Sequence, residues 1–420
     1  MLLALPVAAL HAQTPATVEH AHDYLNSDLI HWESALSEAE QQVRAMPRTD
    51  PAAEQTFRAL RSVLQGLAAA RAKVGDANGA IAALSQMGME NQRLGFNLYP
   101  PGGSVESDLA AIDAAHVEDA VQAIARAART RQVVVLNEAH HVPFDRIFAL
   151  RLARALRKEG FEYLACETFR GTDEHILSGG YVAKMTGFYS REPTYAKFLM
   201  DAMSDGWKFI SYEPSGPASL HREAGMARNL VDRIFAKDPK AKVFIYVGYS
   251  HARKIPASTG DDDDSKMAAQ LLRMTGIDPL TVNQTTLFAQ FDNAKQSRLY
   301  ARAVRKIKGH DPVVLIGKDG APLKLTIDDS AYDFEVVHPA YVNDAKTGRP
   351  EWLSKLFTPR EVPKELLPTK GRRAVYAYLK DAQSDAVPLD VVLLSAGAVP
   401  PSLMLPPGEF VFEVEDEAHD

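Results

Sequence analysis

The feature that most constrains this 420-residue chain is a series of short, largely apolar runs, each separated from the next by an amphipathic stretch. The runs are Val133-Val134-Val135-Leu136, Tyr163-Leu164-Ala165-Cys166, Lys208-Phe209-Ile210-Ser211-Tyr212 and Val243-Phe244-Ile245-Tyr246-Val247. Strands of a parallel sheet covered on both faces read this way, because neither face alternates with solvent. Between them the pattern predicts helices over about 117–129, 145–158 and 222–236, the second stopped by Gly160 at a position that tolerates positive φ. Leu280 to Val282, Val313 to Ile316 and Phe334 to Val337 are later strand candidates. The expected fold is α/β, with a mostly parallel central sheet flanked by helices over about 104–345.

Two regions flank that unit. Residues 15–98 are helical in pattern, with Leu25, Leu29, Trp32, Leu36 and Val43 on one face and Phe57, Leu60, Val63, Leu64 and Leu67 on another. Ala80, Ile81, Leu84 and Met87 mark a third helix, and Gly75 to Ala80 sits where a tetratricopeptide-like hairpin would turn. One hairpin is not an array. The region reads as a helical cap, with a surface for a protein partner as the weaker reading. Tyr99-Pro100-Pro101-Gly102-Gly103 is the breaker cluster that ends it. Residues 350–420 are proline-rich and carry two strand-like runs, Val391 to Leu394 and Phe410 to Val414. They form either an addition to the sheet edge or a small β extension.

Composition narrows the function classes. Apolar residues make up 46% of the chain, enough for a sizeable core. The formal net charge of −7 gives no basic footprint for nucleic acid. The single cysteine excludes an internal disulfide and a thiolate-rich zinc site, and inside its apolar run it reads as a core residue. Met1 to Ala12 is apolar and precedes Gln13-Thr14-Pro15, so residues 1–14 read as a secretory signal and the protein as secreted or periplasmic. No other stretch approaches the ~20 apolar residues of a membrane span. Asp261-Asp262-Asp263-Asp264 lacks the alternating spacing of a calcium loop and reads as a solvated loop.

Chemistry collects at strand ends. The first strand ends in Asn137-Glu138-Ala139-His140-His141, the second in Glu167, the third in Glu213 and the fourth in Gly248-Tyr249-Ser250-His251. In α/β sheets, sites form outside the carboxyl ends of the strands. Four consecutive ionisable ends therefore point to one shared pocket. The bland alternative is a set of solvated loop positions and helix caps, strongest for Glu213 beside Pro214-Ser215-Gly216-Pro217. Of the adjacent histidines only one is expected to face the cleft, and His141 is the first choice over His140. Gly248 lets backbone approach the site closely.

The run Asn137-Glu138-Ala139-His140-His141, a helix carrying Phe148-Ala149-Leu150-Arg151, then Gly160-Phe161 and Leu164-Ala165-Cys166-Glu167, resembles the erythromycin esterase motif. That motif is Gly-Glu-x-x-His, a helix arginine and a strand ending in Glu. Gly248-Tyr249-Ser250-His251 is similar to the late Gly-x-x-His of the wider superfamily, which includes ChaN-like haem-binding lipoproteins and Tiki metalloproteases. The similarity spans about residues 130 to 255. It implies catalytic roles for Glu138, His141, Arg151, Glu167 and His251, while their positions at the strand ends put His140, Glu213 and Tyr249 near the substrate. Asn137 departs from the pattern by replacing its glycine.

The first functional expectation is a hydrolase of ester or amide bonds acting on a small molecule or peptide. His141 or His251, oriented by a glutamate, would take a proton from water, and Arg151 would offset the developing oxyanion. In a metal-dependent version, Glu138, His141, Glu167 and His251 would hold Zn, Mn or Fe. No Gly-x-Ser-x-Gly elbow is present, which argues against a serine nucleophile. The alternative is a periplasmic haem- or iron-binding protein, with Tyr181, Tyr249 or a histidine as axial ligand. A specificity lid is expected in the glycine-containing segment from Gly179 to Pro193.

Overall fold

The apolar runs become neighbouring strands in a computed structural model that describes residues 23–45, 53–93, 103–170, 176–215, 221–255, 265–290, 296–328 and 330–418. The signal-like opening and the Asp261 to Asp264 run lie outside the described residues. The central sheet has eight strands: β1 (His116–Asp119), β2 (Val133–Glu138), β3 (Tyr163–Cys166), β4 (Lys208–Ile210), β5 (Val243–Gly248), β6 (Leu280–Asn283), β7 (Val313–Ile316) and β8 (Phe334–Val337). Their order is β1-β7-β8-β6-β2-β5-β3-β4. The six strands from β8 to β4 run parallel, while β7 is antiparallel to β8 and β1 antiparallel to β7. The expected α/β class holds.

Alternation within β2 and β5 shows why both faces are apolar. Val134 and Leu136 of β2, with Phe244 and Tyr246 of β5, enter one core, while Val133 and Val135, with Val243, Ile245 and Val247, enter the other. The first core is closed by helices α5 (Ala120–Ala128), α6 (Pro143–Lys158) and α7 (Pro193–Ser204), and the second by α8 (Arg222–Leu230) and α9 (Met267–Thr275). Period-2 side-chain geometry thus divides one apolar run between two helical layers.

The start of the helix expected over 117–129 is instead strand. His116 to Asp119 pair antiparallel with β7, and Asp119 then caps α5 by accepting the Gln122 amide at 2.8 Å. The pairing partner lies nearly two hundred residues downstream, so local periodicity carries no trace of it. Further along, α6 begins two residues earlier than expected, at Pro143, whose fixed φ suits the first helical position. Gly160 adopts φ +85° after it, as expected.

Among the described residues the N-terminal helices are α1 (His31–Ala45), α2 (Ala53–Lys73) and α3 (Ala77–Arg93), preceded by a wide turn over Tyr24–Ile30. The carboxy-terminal runs form a separate three-stranded antiparallel sheet, Asp390–Ser395, Arg372–Leu379 and Phe410–Asp416 in that order. This sheet leaves the central one alone and packs on the helices: Tyr24, Leu25, Leu29, Leu67, Tyr376 and Val391 share one core. Polar contacts seal the joint. The Tyr24 amide donates to the Tyr376 hydroxyl at 3.0 Å, and the amides of Leu25 and Asn26 donate to Glu415 at 3.0 and 2.8 Å. The two flanking regions are therefore one layer built from opposite ends of the chain.

That layer touches the central domain through Lys73. Its buried ammonium donates to Asp28 at 2.8 Å and stands 4.0 Å above the ring of Phe188, in the segment between β3 and β4. A lysine held among apolar atoms is tolerable only with such partners.

Candidate functional site

Glu138 closes β2 and is almost wholly buried. His140 Nδ1 lies 2.7 Å from its Oε1, while Arg146 Nε and the Tyr246 hydroxyl donate to Oε2 at 3.1 and 2.7 Å. Burial alone would push this carboxyl up. The Arg146 charge and the His140 and Tyr246 bonds outweigh it and hold the group at about 2. Arg146, fully buried, also donates to Glu192 at 2.9 Å and to the His140 carbonyl, and its guanidinium lies 5.0 Å from the centre of the Tyr195 ring. Glu192 is pinned in turn as the N-cap of α7, accepting the Thr194 and Tyr195 amides at 2.9 Å each.

The next strands bring the second half. Glu167, just past β3, accepts the Gly248 amide at 2.5 Å through Oε2 and Arg222 Nη2 at 2.6 Å through Oε1. His140 Nε2 is 3.7 Å from the first oxygen and His251 Nε2 3.9 Å from the second. Burial raises this carboxyl, but His140, His251 and Arg222 together leave it below its ordinary range. Glu213, beyond β4, takes Arg222 Nε and Nη2 at 3.1 and 2.6 Å, yet burial dominates there and lifts it. Two glutamates on one guanidinium are thus driven in opposite directions.

His251 sits in the short turn Tyr249–Ala252 after β5. Arg222 Nη1 donates to its Nε2 at 2.9 Å, which makes Nε2 the acceptor and puts the proton on Nδ1. That Nδ1 faces both oxygens of Glu223, at 2.9 and 2.8 Å. Glu223 also receives Lys266 Nζ at 3.2 Å and the Met267 amide at 2.8 Å, and it lies below its ordinary range although burial opposes this. Of the chain Glu223–His251–Arg222–Glu167, Arg222 and Glu167 line an open cleft of about 710 Å³, together with Glu213, Phe188 and Tyr189.

Gly248 has a definite reason. A Cβ there would stand 2.2 Å from His140 Nε2 and 2.9 Å from Glu167 Oε2, so only glycine lets this strand end approach both. Asn137 likewise explains itself. Fully buried, it donates to the Tyr249 carbonyl at 3.0 Å and to Asn283 Oδ1 at 2.8 Å, and accepts the Gln284 amide at 2.8 Å. It laces β2 to β5 and β6, which a glycine side chain could not do.

The structure corrects two expected residues. His140, not His141, meets the carboxylates, because β2 ends at Glu138 and the turn closed by the Val142 amide on the Ala139 carbonyl curls His140 back. His141 is buried on the other side, with Nδ1 2.9 Å from the Tyr249 hydroxyl. Arg151 faces away from the cluster, half-exposed, and pairs with Asp311 at 2.9 Å. The helix arginine at the site is Arg146, one turn earlier. Glu138, Glu167, Glu213 and His251 do come together, and Tyr249 stands behind them with φ +45°, an uncommon conformation for a non-glycine residue.

Arg146, Arg222, Glu223 and Tyr189 were not anticipated. Both arginines lie in the first turn of a helix, where the helix dipole disfavours cations, and that misplacement was the available signal. Tyr189 lies flat on His140, ring centres 3.6 Å apart at 9°, within the segment expected to hold a lid.

Cofactor donors do not converge. Among the described residues no three His, Cys, Asp or Glu side chains form a metal set. Arg146 and Arg222 already meet the lone pairs of Glu138 and Glu167 that a divalent ion would need. Of the haem-ligand candidates, Tyr181 donates to Asp385 at 2.7 Å on the carboxy-terminal side, and Tyr249 faces His141. No helix among the described residues is long and apolar enough to cross a membrane.

Burial holds His141 at about 3, with the charges of His140 and Arg146 adding to the effect. Its folded value is depressed, so its stabilising contribution is complete above the unfolded value near 6.5 and is lost as pH falls from there through about 3. In wild type against His141→Asn, the stability difference should shrink by up to about 1.4 kcal/mol for each pH unit below 6.5. Denaturation midpoints between pH 7 and 5 measure it, and parallel curves would refute the assignment. Asp145 and Glu335, pushed up by burial, titrate with the opposite sign and are present in both proteins.

An α/β sheet whose strand ends gather a carboxylate–histidine–guanidinium cluster is the class that fold and site define. No family model and no curated protein sequence matches the chain. Among solved structures, the type III effector HopBA1 aligns over 54% of this chain and 95% of its own, at 12% identity and a TM-score of 0.31. RRSP, a MARTX toxin effector domain from Vibrio vulnificus CMCP6, aligns over 65% of this chain and 66% of its own, at 12% identity and a TM-score of 0.29. Likeness at that level says nothing of activity.

Proposed function

We propose that the protein is a hydrolase of ester or amide bonds, working through the Glu223–His251–Arg222–Glu167 chain without a metal ion. The observation that carries the reading is the tautomer of His251: Nδ1–H directed at Glu223 leaves Nε2 as the basic nitrogen, next to Arg222 and 3.9 Å from Glu167, both of which line the cleft. In the proposed reaction Arg222 leaves Nε2 and His251 takes one proton from a water molecule. The oxygen of that water forms the new bond to the substrate carbonyl carbon, and the carbonyl electron pair becomes an oxyanion facing Arg222. Collapse breaks the ester or amide bond. The leaving oxygen or nitrogen takes its proton from His251, which returns to the neutral base, while Glu167 stays ionised. Glu138, His140 and Arg146 hold the wall behind Glu167 and touch no substrate.

This reading keeps the resemblance to the erythromycin esterase superfamily at Glu138, Glu167 and His251, gives the base role to His251 in place of His141, and gives the oxyanion role expected of Arg151 to Arg222. Export rests on residues 1–14 alone. The test is a panel of chromogenic esters and anilides, with the protein dialysed against a chelator. Turnover should survive chelation, and Glu223→Gln should lower it roughly tenfold or more by freeing the imidazole to choose the wrong tautomer. Loss of turnover on chelation, restored by Zn or Mn, would replace the metal-free mechanism. No turnover of any substrate would remove the hydrolase.

A further inference from the structure

The cleft has a charge pattern that the hydrolytic chain leaves unused. Its two glutamates are both satisfied by Arg222, which spans Glu167 and Glu213. Two more arginines, Arg170 and Arg233, line the same cleft. Arg170 is exposed just beyond the β3 end and has no ion-pair partner among the described residues. Aromatic surface stands beside these cations, from Phe188 and Tyr189, with Phe169 buried behind them. Phe169 is buried and fixed edge-on to Phe209, and Phe188 is fixed under Lys73, so the aromatic side is preformed.

We propose that this cleft takes an ester or amide whose flat apolar body carries a carboxylate, with Arg170 receiving the carboxylate and the Phe188–Tyr189 wall receiving the body. The bond broken rests on the hydrolase reading above, whereas the charge and shape preference rests on the cleft itself. Guanidinium is the side chain suited to a carboxylate, which it can meet with two parallel N–H donors. A cation would meet Arg170 as a like charge, because the acids that could have welcomed it are held by Arg222. A neutral substrate would leave Arg170 in water and gain nothing from it.

The binding test needs no turnover. The full chain is titrated with 3-phenylpropionate and, separately, with 3-phenylpropionamide, following ligand resonances by NMR. The carboxylate should bind about tenfold tighter, as a charge-assisted pair allows. The preference should fall to about twofold or less in Arg170→Gln, and should weaken as salt rises through the range where exposed charges are screened. Equal affinity for acid and amide, binding of neither, or an undiminished preference in Arg170→Gln would overturn the inference. A persisting acid preference in a protein that turns over none of the ester and anilide panel would instead remove the hydrolase and leave the carboxylate site standing.

Discussion

Replacing Arg146 by alanine should cost about 3–5 kcal/mol of stability, the range for removing one partner of a buried ion pair. The guanidinium is inaccessible to solvent and compensates two carboxylates at once, Glu138 and Glu192. Without it, Glu138 keeps only neutral or histidine partners, and Glu192 keeps only the amides at the start of α7. Both acids then either stay charged in a dry interior or take up protons that the wild type does not. Arg151→Ala supplies the contrast. That side chain is 40% exposed and its partner Asp311 is more exposed still, so the change should stay within about 0.5 kcal/mol. Chemical denaturation of the two variants beside wild type decides it. An Arg146→Ala protein as stable as Arg151→Ala would mean that the buried network does not hold Glu138.

The second large effect is on chemistry. His251→Ala should lower turnover by about 10²–10⁴-fold, the usual contribution of a positioned acid–base group. Folding should survive, because the His251 side chain is only partly buried and Arg222 keeps both of its glutamates when the imidazole is gone. Circular dichroism and the denaturation midpoint check the fold, and initial rates on the ester and anilide panel check the chemistry. Turnover that is unchanged in a folded His251→Ala protein would take the base out of the mechanism and shift attention to His140. The two variants separate two jobs that stand side by side: the wall that Arg146 holds and the proton transfer proposed for His251.

Much of this arrangement was legible before any coordinates, for reasons that also explain the failures. Strands buried on both faces leave continuous apolar runs, so β2 to β5 and their ionisable ends could be read directly, and Glu138, Glu167, Glu213 and His251 meet as the strand order requires. What followed a strand end could not. Whether His140 or His141 faces Glu138 depends on a turn, and there the two-residue alternation no longer applies. The helix arginine was placed one turn too late, since several cationic positions on α6 satisfy an amphipathic pattern and only Arg146 reaches inward. Arg222 and Glu223 open the helix predicted over 222–236, and the sequence pattern there does not set them apart from ordinary helix-start residues. The carboxy-terminal sheet was recognisable as strand, but its partner was not: Leu25 meeting Glu415 is a contact across nearly the whole chain, and no local spacing encodes it.

Lys73 gives the helical layer a mechanical share in the cleft. It presses on Phe188 from the end of α2, Phe188 is bonded through the backbone to Tyr189, and Tyr189 covers the ring of His140. The end of α2 is thus joined to the aromatic side of the cleft through two consecutive residues. A chain stripped of its first ninety residues would keep every strand-end acid and histidine, yet would lose the floor on which its aromatic wall rests.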